Sequence, residues 1–277
     1  MASTTSTTLD DLFVNIVAQA RFTAEEESLM LGLVTQYNIQ STAGKVVQVP
    51  KYSNITAAAV AEGTDLSSTA VSTSKVDISI GEVGAQVVLT DMATYGADSP
   101  ANAMGTILGS AIATKMDVDL IALFTGLSDS LGAAGSEITV ADLFKASAKL
   151  RNNKVRGAIN AVIHPFQAYA LKANLTNTFA NPNGADLQNE AMRTGYVGTI
   201  AGINIYESAN IAVDGAGDAI GAVFAPEAFA IAIKREFNLA PQRDESLRAW
   251  ELNATAVYGV AELDDTYGVK VLADAVV

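Results

Sequence analysis

The chain has no cysteine, and histidine occurs once, as His164. The first absence excludes disulfides and thiolate metal sites, so the fold rests on non-covalent contacts. The second excludes a zinc site built from several imidazoles. It also leaves nucleophilic catalysis a single candidate base, and no G-x-S-x-G elbow accompanies it. His164 stands between an apolar run and Pro165, where a histidine in a strand-to-helix turn is the simpler reading. Charged side chains are scarce at 17%, and basic ones scarcer still: 17 against 30 acids, for a formal charge of −13. That balance argues against a protein that coats nucleic acid, which needs basic groups against phosphates. It is compatible with one that encloses DNA without adhering to it, and it keeps free subunits mutually repulsive. No apolar run reaches the roughly 18 residues that span a bilayer. Residues 1–8 show no basic stretch followed by an apolar one, so neither a signal peptide nor a membrane partner is expected. No cofactor is expected either.

What is present is apolar bulk, 49% of 277 residues, much of it alanine and valine. That suffices for one large domain or two small ones. After a Ser/Thr-rich start, Leu9, Leu12, Phe13, Ile16, Val17 and Ala20 fall on one helical stripe. A second helix start follows at Thr23, with Glu26 three residues on, and the apolar stretch Leu29–Val34 comes next. Val46, Val47 and Val49 predict a strand stopped at Pro50. Residues 53–74 are unusual: 14 of 22 are Ser, Thr or Ala, with no aromatic. A loop this long in a compact domain has a role of its own. A strand returns from Lys75, with Val76, Ile78 and Ile80 alternating with polar residues, and a second apolar run, Val87–Leu89, follows. The pattern describes a protruding two-stranded arm.

Ser99-Pro100 opens a long helix, with Met104, Ile107, Leu108, Ala111 and Ile112 on one face and an end near Gly126. Another helix is predicted over Val140–Asn152. Strands are predicted at 158–163, 203–206, 219–224, 249–260 and 268–273, with a helix from Pro165 and a surface loop over 175–195. The class is α+β.

No motif carries chemistry. Gly195–Gly202 is glycine-rich but lacks a P-loop lysine and precedes a strand, where phosphate motifs follow one. Glu25-Glu26-Glu27, Asp117 with Asp119, and Asp264-Asp265 read as solvated or dipole-directed charge; the two helix aspartates are two apart and share no face. Lys145, Lys149, Arg151, Lys154 and Arg156 form the basic run, and Arg243 and Arg248 lie near the last strands. They fit a solvated face, or ion pairs with the acidic surface of a neighbouring copy.

The order of these parts resembles the Hong Kong 97-type fold of tailed-bacteriophage major capsid proteins. Within it, the most specific matches are Ala161-Val162-Ile163-His164-Pro165, then Gly198-Thr199-Ile200-Ala201-Gly202-Ile203-Asn204-Ile205, then Val223-Phe224-Ala225-Pro226-Glu227-Ala228. Many members carry proline where this chain has Asn204. The resemblance implies an N-terminal arm (1–41), an extended loop (42–90), a peripheral domain with a spine helix (91–157), an axial domain (158–235) and return strands of the peripheral domain (236–277). It implies no enzymatic activity. The function it implies is a shell, built from pentamers and hexamers, around double-stranded phage DNA in the host cytoplasm. Its partners would be other copies of itself, a portal, and separate scaffolding or cement proteins. Inter-subunit contacts would involve Phe13, Arg21, Lys51, Tyr52, Lys75, Lys145, Lys149, Arg151, Arg243 and Arg248. Some members cross-link a loop lysine to a peripheral asparagine; here Lys51 and Lys75 lie in the loop region and Asn253 in the return strands, and nothing local marks such a bond. Two competitors remain: an encapsulin-type compartment with the same fold but a protein cargo, and another self-assembling surface-layer protein.

Overall fold

The computed structural model describes residues 28–40, 44–53, 55–57, 59–66, 68, 70–92, 100–178 and 199–276. The helical stripe of residues 9–20 and the start at Thr23 lie outside that set, as do Phe13, Arg21 and most of the 175–195 loop.

Three helices stand where the sequence predicts them. Helix α1 spans Pro100–Ala122 and tightens into a 3-10 turn over Leu123–Gly126, so the predicted end near Gly126 falls on the tightened turn. Helix α2 spans Val140–Asn152. Thr139 caps it: its hydroxyl accepts from the Asp142 N–H while the Asp142 carboxylate accepts from the Thr139 N–H. Lys149 and Arg151 lie in its last turn, where cations suit the negative end of the dipole. Helix α3 spans Pro165–Thr178.

A six-stranded sheet has the order β5-β12-β9-β6-β8-β7. Its strands are β5 (Ser130–Gly132), β6 (Ile159–Ile163), β7 (Thr199–Ile200), β8 (Ile203–Glu207), β9 (Asp218–Phe224) and β12 (Gly268–Asp274). All five residues of β6 are buried, because both faces of the sheet are covered. On one face Ile159, Ala161, Ile163, Val223 and Val271 pack with Leu143, Ala146 and Leu150 of α2 and Ala168 and Leu171 of α3. On the other, Val162, Ala222 and Phe224 join Leu108, Ile112 and Leu120 of α1.

The second sheet has the order β1-β10-β11-β4, from β1 (Thr35–Asn38), β4 (Gly81–Thr90), β10 (Phe229–Asp244) and β11 (Ala249–Glu262). Strand β10 is absent from the sequence reading. Its second half, Lys234 to Asp244, is polar and contains Pro241, and its pairing with β11 shifts register between Ile233 and Asn238, so no clean alternation survives. Phe124, Phe224 and Phe229, one each from the turn after α1, β9 and β10, pack with ring centroids 5.1–5.6 Å apart. All three are fully buried and bolt helix and both sheets together.

Strand pairing departs from the expected divisions. The cut after residue 235 falls inside β10, and β12 pairs with β9, so the final strand completes the sheet of the 158–235 segment. Part of the expected 1–41 arm packs within the chain itself. Met30, Leu33 and Val34 are buried in the subunit's own core, and β1 joins its own sheet. The apolar stretch from Leu29 forms a 3-10 turn over Met30–Gly32, whose position is fixed from within.

Strands β2 (Val46–Tyr52) and β3 (Thr73–Ser79) pair antiparallel, as the arm predicts. Pro50 does not stop β2; it lies opposite Lys75 inside the ladder. A two-stranded ribbon has free edges, where a missing N–H is tolerated. The hairpin packs over the end of the second sheet through Ile78, Ala230 and Ala232 with Val47, Val49 and Leu263. The crossing is close: a Cβ on Gly259 of β11 would stand 2.2 Å from the Ser79 carbonyl oxygen.

Candidate assembly surfaces

Buried polar groups come first, because catalysis would draw on them. Asp117 is 1% exposed on α1. Its carboxylate accepts from the Ser28 hydroxyl and from the N–H groups of Leu29 and Met30, at 3.0–3.1 Å. Burial pushes its pKa up, against those hydrogen bonds. This corrects the solvated reading: Asp117 pins the chain at Met30 to the helix. Asp119, two residues on, accepts from Lys115 and from the Tyr258 hydroxyl of β11 at 2.7 Å. Burial and then that carboxylate push the phenol pKa up. Buried Gln167 donates to the carbonyls of Ala219 and Ala273, tying α3 to β9 and β12. His164 packs edge-on to Phe166, its Nδ1 accepts from the Phe166 N–H, and burial lowers its pKa. Each of these groups has a structural task. Among the described residues no cluster of three or more His, Cys, Asp or Glu could hold a metal ion. No described helix is long and apolar enough to cross a membrane.

The residues expected at subunit contacts are mostly engaged within the subunit. Lys51 pairs with Asp264 at 2.7 Å, holding the excursion end of β2 to the loop after β11. Burial raises the Asp264 pKa, but the hydrogen bonds from Lys51 and Thr266 outweigh it and hold the carboxyl below its usual range. Lys75 stands 3.7 Å from Asp77. Lys145 pairs with Asp142 at 3.0 Å and Lys149 with Asp129 at 2.9 Å. Arg151 donates to the carbonyls of Val155 and Gly157. Arg243 makes a bidentate pair with Asp91 at 2.6 and 2.8 Å and lies 5.4 Å from the Trp250 ring centre. Arg248 takes a left-handed conformation, φ 49°, in the β10–β11 turn, and its carbonyl accepts from the Asp91 N–H. Tyr52 is the exception, 65% exposed at the end of β2.

Two groups of exposed apolar side chains stand out among the described residues. One is in the excursion between β2 and β3, where Ile55, Val60, Leu66 and Val71 lie in solvent. The other is in the helical layer over the six-stranded sheet, with Phe144 on α2 and Phe166 and Tyr169 on α3. The three aromatics went unnoticed in the sequence. The signal was there: Phe144 sits between Leu143 and Ala146, off the buried stripe. An open polar groove of about 530 Å³ lies beside the β10 irregularity, lined by Gln40, Lys234, Arg235, Glu236 and Phe237 among others.

No family model and no curated protein matches the sequence. Solved structures do. One from Mycobacterium phage Che8 is 21% identical with a TM-score of 0.65, covering 83% of this chain and 85% of that one. The capsid of cyanophage P-SCSP1u is 16% identical with a TM-score of 0.70, covering 90% and 89%. The head of Helicobacter pylori bacteriophage KHP40 is 12% identical with a TM-score of 0.72, covering 90% and 91%. The chain shares the fold of tailed-phage major capsid proteins along most of its length.

Proposed function

We propose that this chain is a major capsid protein, which assembles as pentamers and hexamers into an icosahedral shell around double-stranded DNA. The observation that carries this reading is the two-stranded arm. Beyond Tyr52 and Thr73 its described residues contribute nothing to the subunit's core, yet they hold Ile55, Val60, Leu66 and Val71 in water. Monomers avoid such patches, and a neighbour would cover them. The exposed aromatics Phe144 on α2 and Phe166 and Tyr169 on α3 support the same reading, since aromatics are enriched at interfaces. Many modest contacts per subunit add through avidity, so none need be strong.

In this reading the six-stranded sheet with α2 and α3 clusters about the capsomer axis. Helix α1 is the spine, and the arm straps the next subunit. Basic residues such as Lys145 and Lys149 exchange their internal partners for a neighbour's acids only where the geometry favours it. Portal, scaffolding and cement proteins complete the particle. Negative-stain microscopy of the purified protein tests the proposal: closed shells are expected, and monomers alone would overturn it. Nuclease-treated particles should retain DNA; a protein cargo in its place would favour an encapsulin-type compartment. Deleting residues 55–71 should cost shells their stability, and shells of normal stability would remove the strap role.

A further inference from the structure

Residues 263–267, between β11 and β12, touch four other parts of the subunit. The Leu263 and Asp264 N–H groups donate to the Ala228 carbonyl, and the Tyr267 carbonyl accepts from the Ala225 N–H, so both ends of the β9–β10 link rest on this turn. Asn153, just after α2, donates to the Thr266 carbonyl at 2.9 Å. Ser128, just after α1, gives its N–H, at 2.7 Å, and its hydroxyl to the Asp265 carboxylate. Lys51 of β2 pairs with Asp264 at 2.7 Å, and Asp264 also takes the Thr266 N–H and hydroxyl at 3.1 and 2.8 Å. The arm hairpin is thus seated at two places: at its crossing with Gly259 and, toward the excursion, on this turn.

Three carboxyl groups converge here. Asp264 and Asp265 belong to the turn. Glu262, the last residue of β11, brings its Oε2 so close to Gly126 that a Cβ there would stand 2.9 Å away. Gly126 and Ser128 are two residues apart, so Glu262 and Asp265 meet the end of α1 at one place, and a hydrogen bond joins the two carboxyls. The facing cations are engaged elsewhere. Lys51 is on Asp264, Lys270 of β12 donates to the Thr125 carbonyl, and Lys149 of α2 pairs with Asp129. Among the described residues no Lys, Arg or His forms an ion pair with Glu262 or Asp265.

Two adjacent, partly buried carboxyls resist double ionisation, and a hydrogen bond between them needs a proton. Burial, and then the Asp265 carboxylate, push the Glu262 carboxyl above its usual 4.5. The hydroxyl and N–H of Ser128 hold Asp265 below its usual range. Glu262 therefore carries the proton and Asp265 accepts it.

We propose that one proton held between Glu262 and Asp265 fixes the 263–267 turn, and that its loss as the pH rises loosens the turn and unseats the arm hairpin. Without the proton, the hydrogen bond becomes a repulsion between two carboxylates, with Asp264 a third beside them. The turn yields, and the Lys51–Asp264 pair goes with it. The proton leaves to water, so no other reactant takes part. A carboxyl whose folded pKa is raised contributes stability that is present below its unfolded value and lost as pH rises through the folded one. The inference goes beyond the assembly reading, in which the hairpin is the strap: the proton then sets how freely the strap turns before it meets a neighbour.

The free subunit tests it. Carbon NMR should show the Glu262 carboxyl titrating above 4.5, and in Asp265→Asn its midpoint should move down. Amide protection of β2 and β3, corrected for the intrinsic rate at each pH, should fall by about threefold or more as pH rises through that midpoint, while β6 keeps its protection. In Glu262→Gln, whose side-chain amide stays neutral and can donate to Asp265, the fall should vanish. A Glu262 that titrates at or below 4.5 would overturn the proposal, as would hairpin protection that is flat with pH in the wild type or still falls in Glu262→Gln. If Asp265→Asn does not fold, the wild-type titration and the Glu262→Gln comparison decide. None of these measurements needs particles, so a chain that forms none would overturn the assembly reading alone.

Discussion

The Arg243–Asp91 pair ties the β10–β11 turn to the end of β4, and it titrates. The bidentate hydrogen bond from Arg243 holds the Asp91 carboxyl below its usual 3.8. For a carboxyl with a depressed folded pKa, the stabilising contribution is present above the unfolded value and lost as pH falls through the folded one. Urea midpoints of the free subunit should therefore drop below about pH 4, and in Asp91→Asn that drop should be shallower. Asp117 is the other residue whose removal should be felt. Asp117→Ala strands the N–H groups of Leu29 and Met30, which should cost about 1–3 kcal/mol in denaturant unfolding. It should also expose the chain near Ser28 to proteolysis. Neither role was legible in the sequence. Asp91 and Arg243 are 152 positions apart, and Asp117 meets its partners across 87 to 89. Nothing local distinguishes a buried helix aspartate from a solvated one.

At the scale of elements, the sequence was readable wherever periodicity and capping were strong. Helix α2 lies within its predicted bounds because Thr139, Asp142 and the buried stripe of Leu143, Ala146 and Leu150 all agree. Strand β10 was missed because polar residues, a bulge and Pro241 erase its alternation, while β11 holds it in place from outside. Pro50 misled in the opposite direction, since a ribbon with free edges tolerates it. The hairpin's seating on Gly259 yields a further prediction. Gly259→Val would drive a side chain into the Ser79 carbonyl, so β3 must lift from β11. The expected result is a loss of about 1–3 kcal/mol of stability, with faster amide exchange confined to β2, β3 and the facing part of β11. Uniform loss of protection across the chain would contradict so local an effect.

For the whole molecule, order of elements carried more information than any motif. Ten named contact residues were expected, and most proved to have partners inside the subunit, because a single sequence cannot say which charges are already satisfied. Strands β12 and β9 meet across 44 to 56 positions, and only long-range pairing reveals that they share a sheet. The charge of −13 gives a prediction at this scale. Free subunits should show no retention of duplex DNA in gel-shift assays at physiological salt, since no net cation excess is available to displace condensed counterions. Strong retention would contradict the container reading.

The Phe124, Phe224 and Phe229 cluster has a last consequence. Helix α1 and both sheets meet on those rings, and only residues 225–228 separate β9 from β10. Close-packed interiors switch between arrangements and do not deform smoothly. The body of the subunit is therefore a stiff tile. A closed surface made of such tiles must take all its curvature at the seams between them. Particles of different radius built from this one chain would share the same body and differ in how the straps and edges meet.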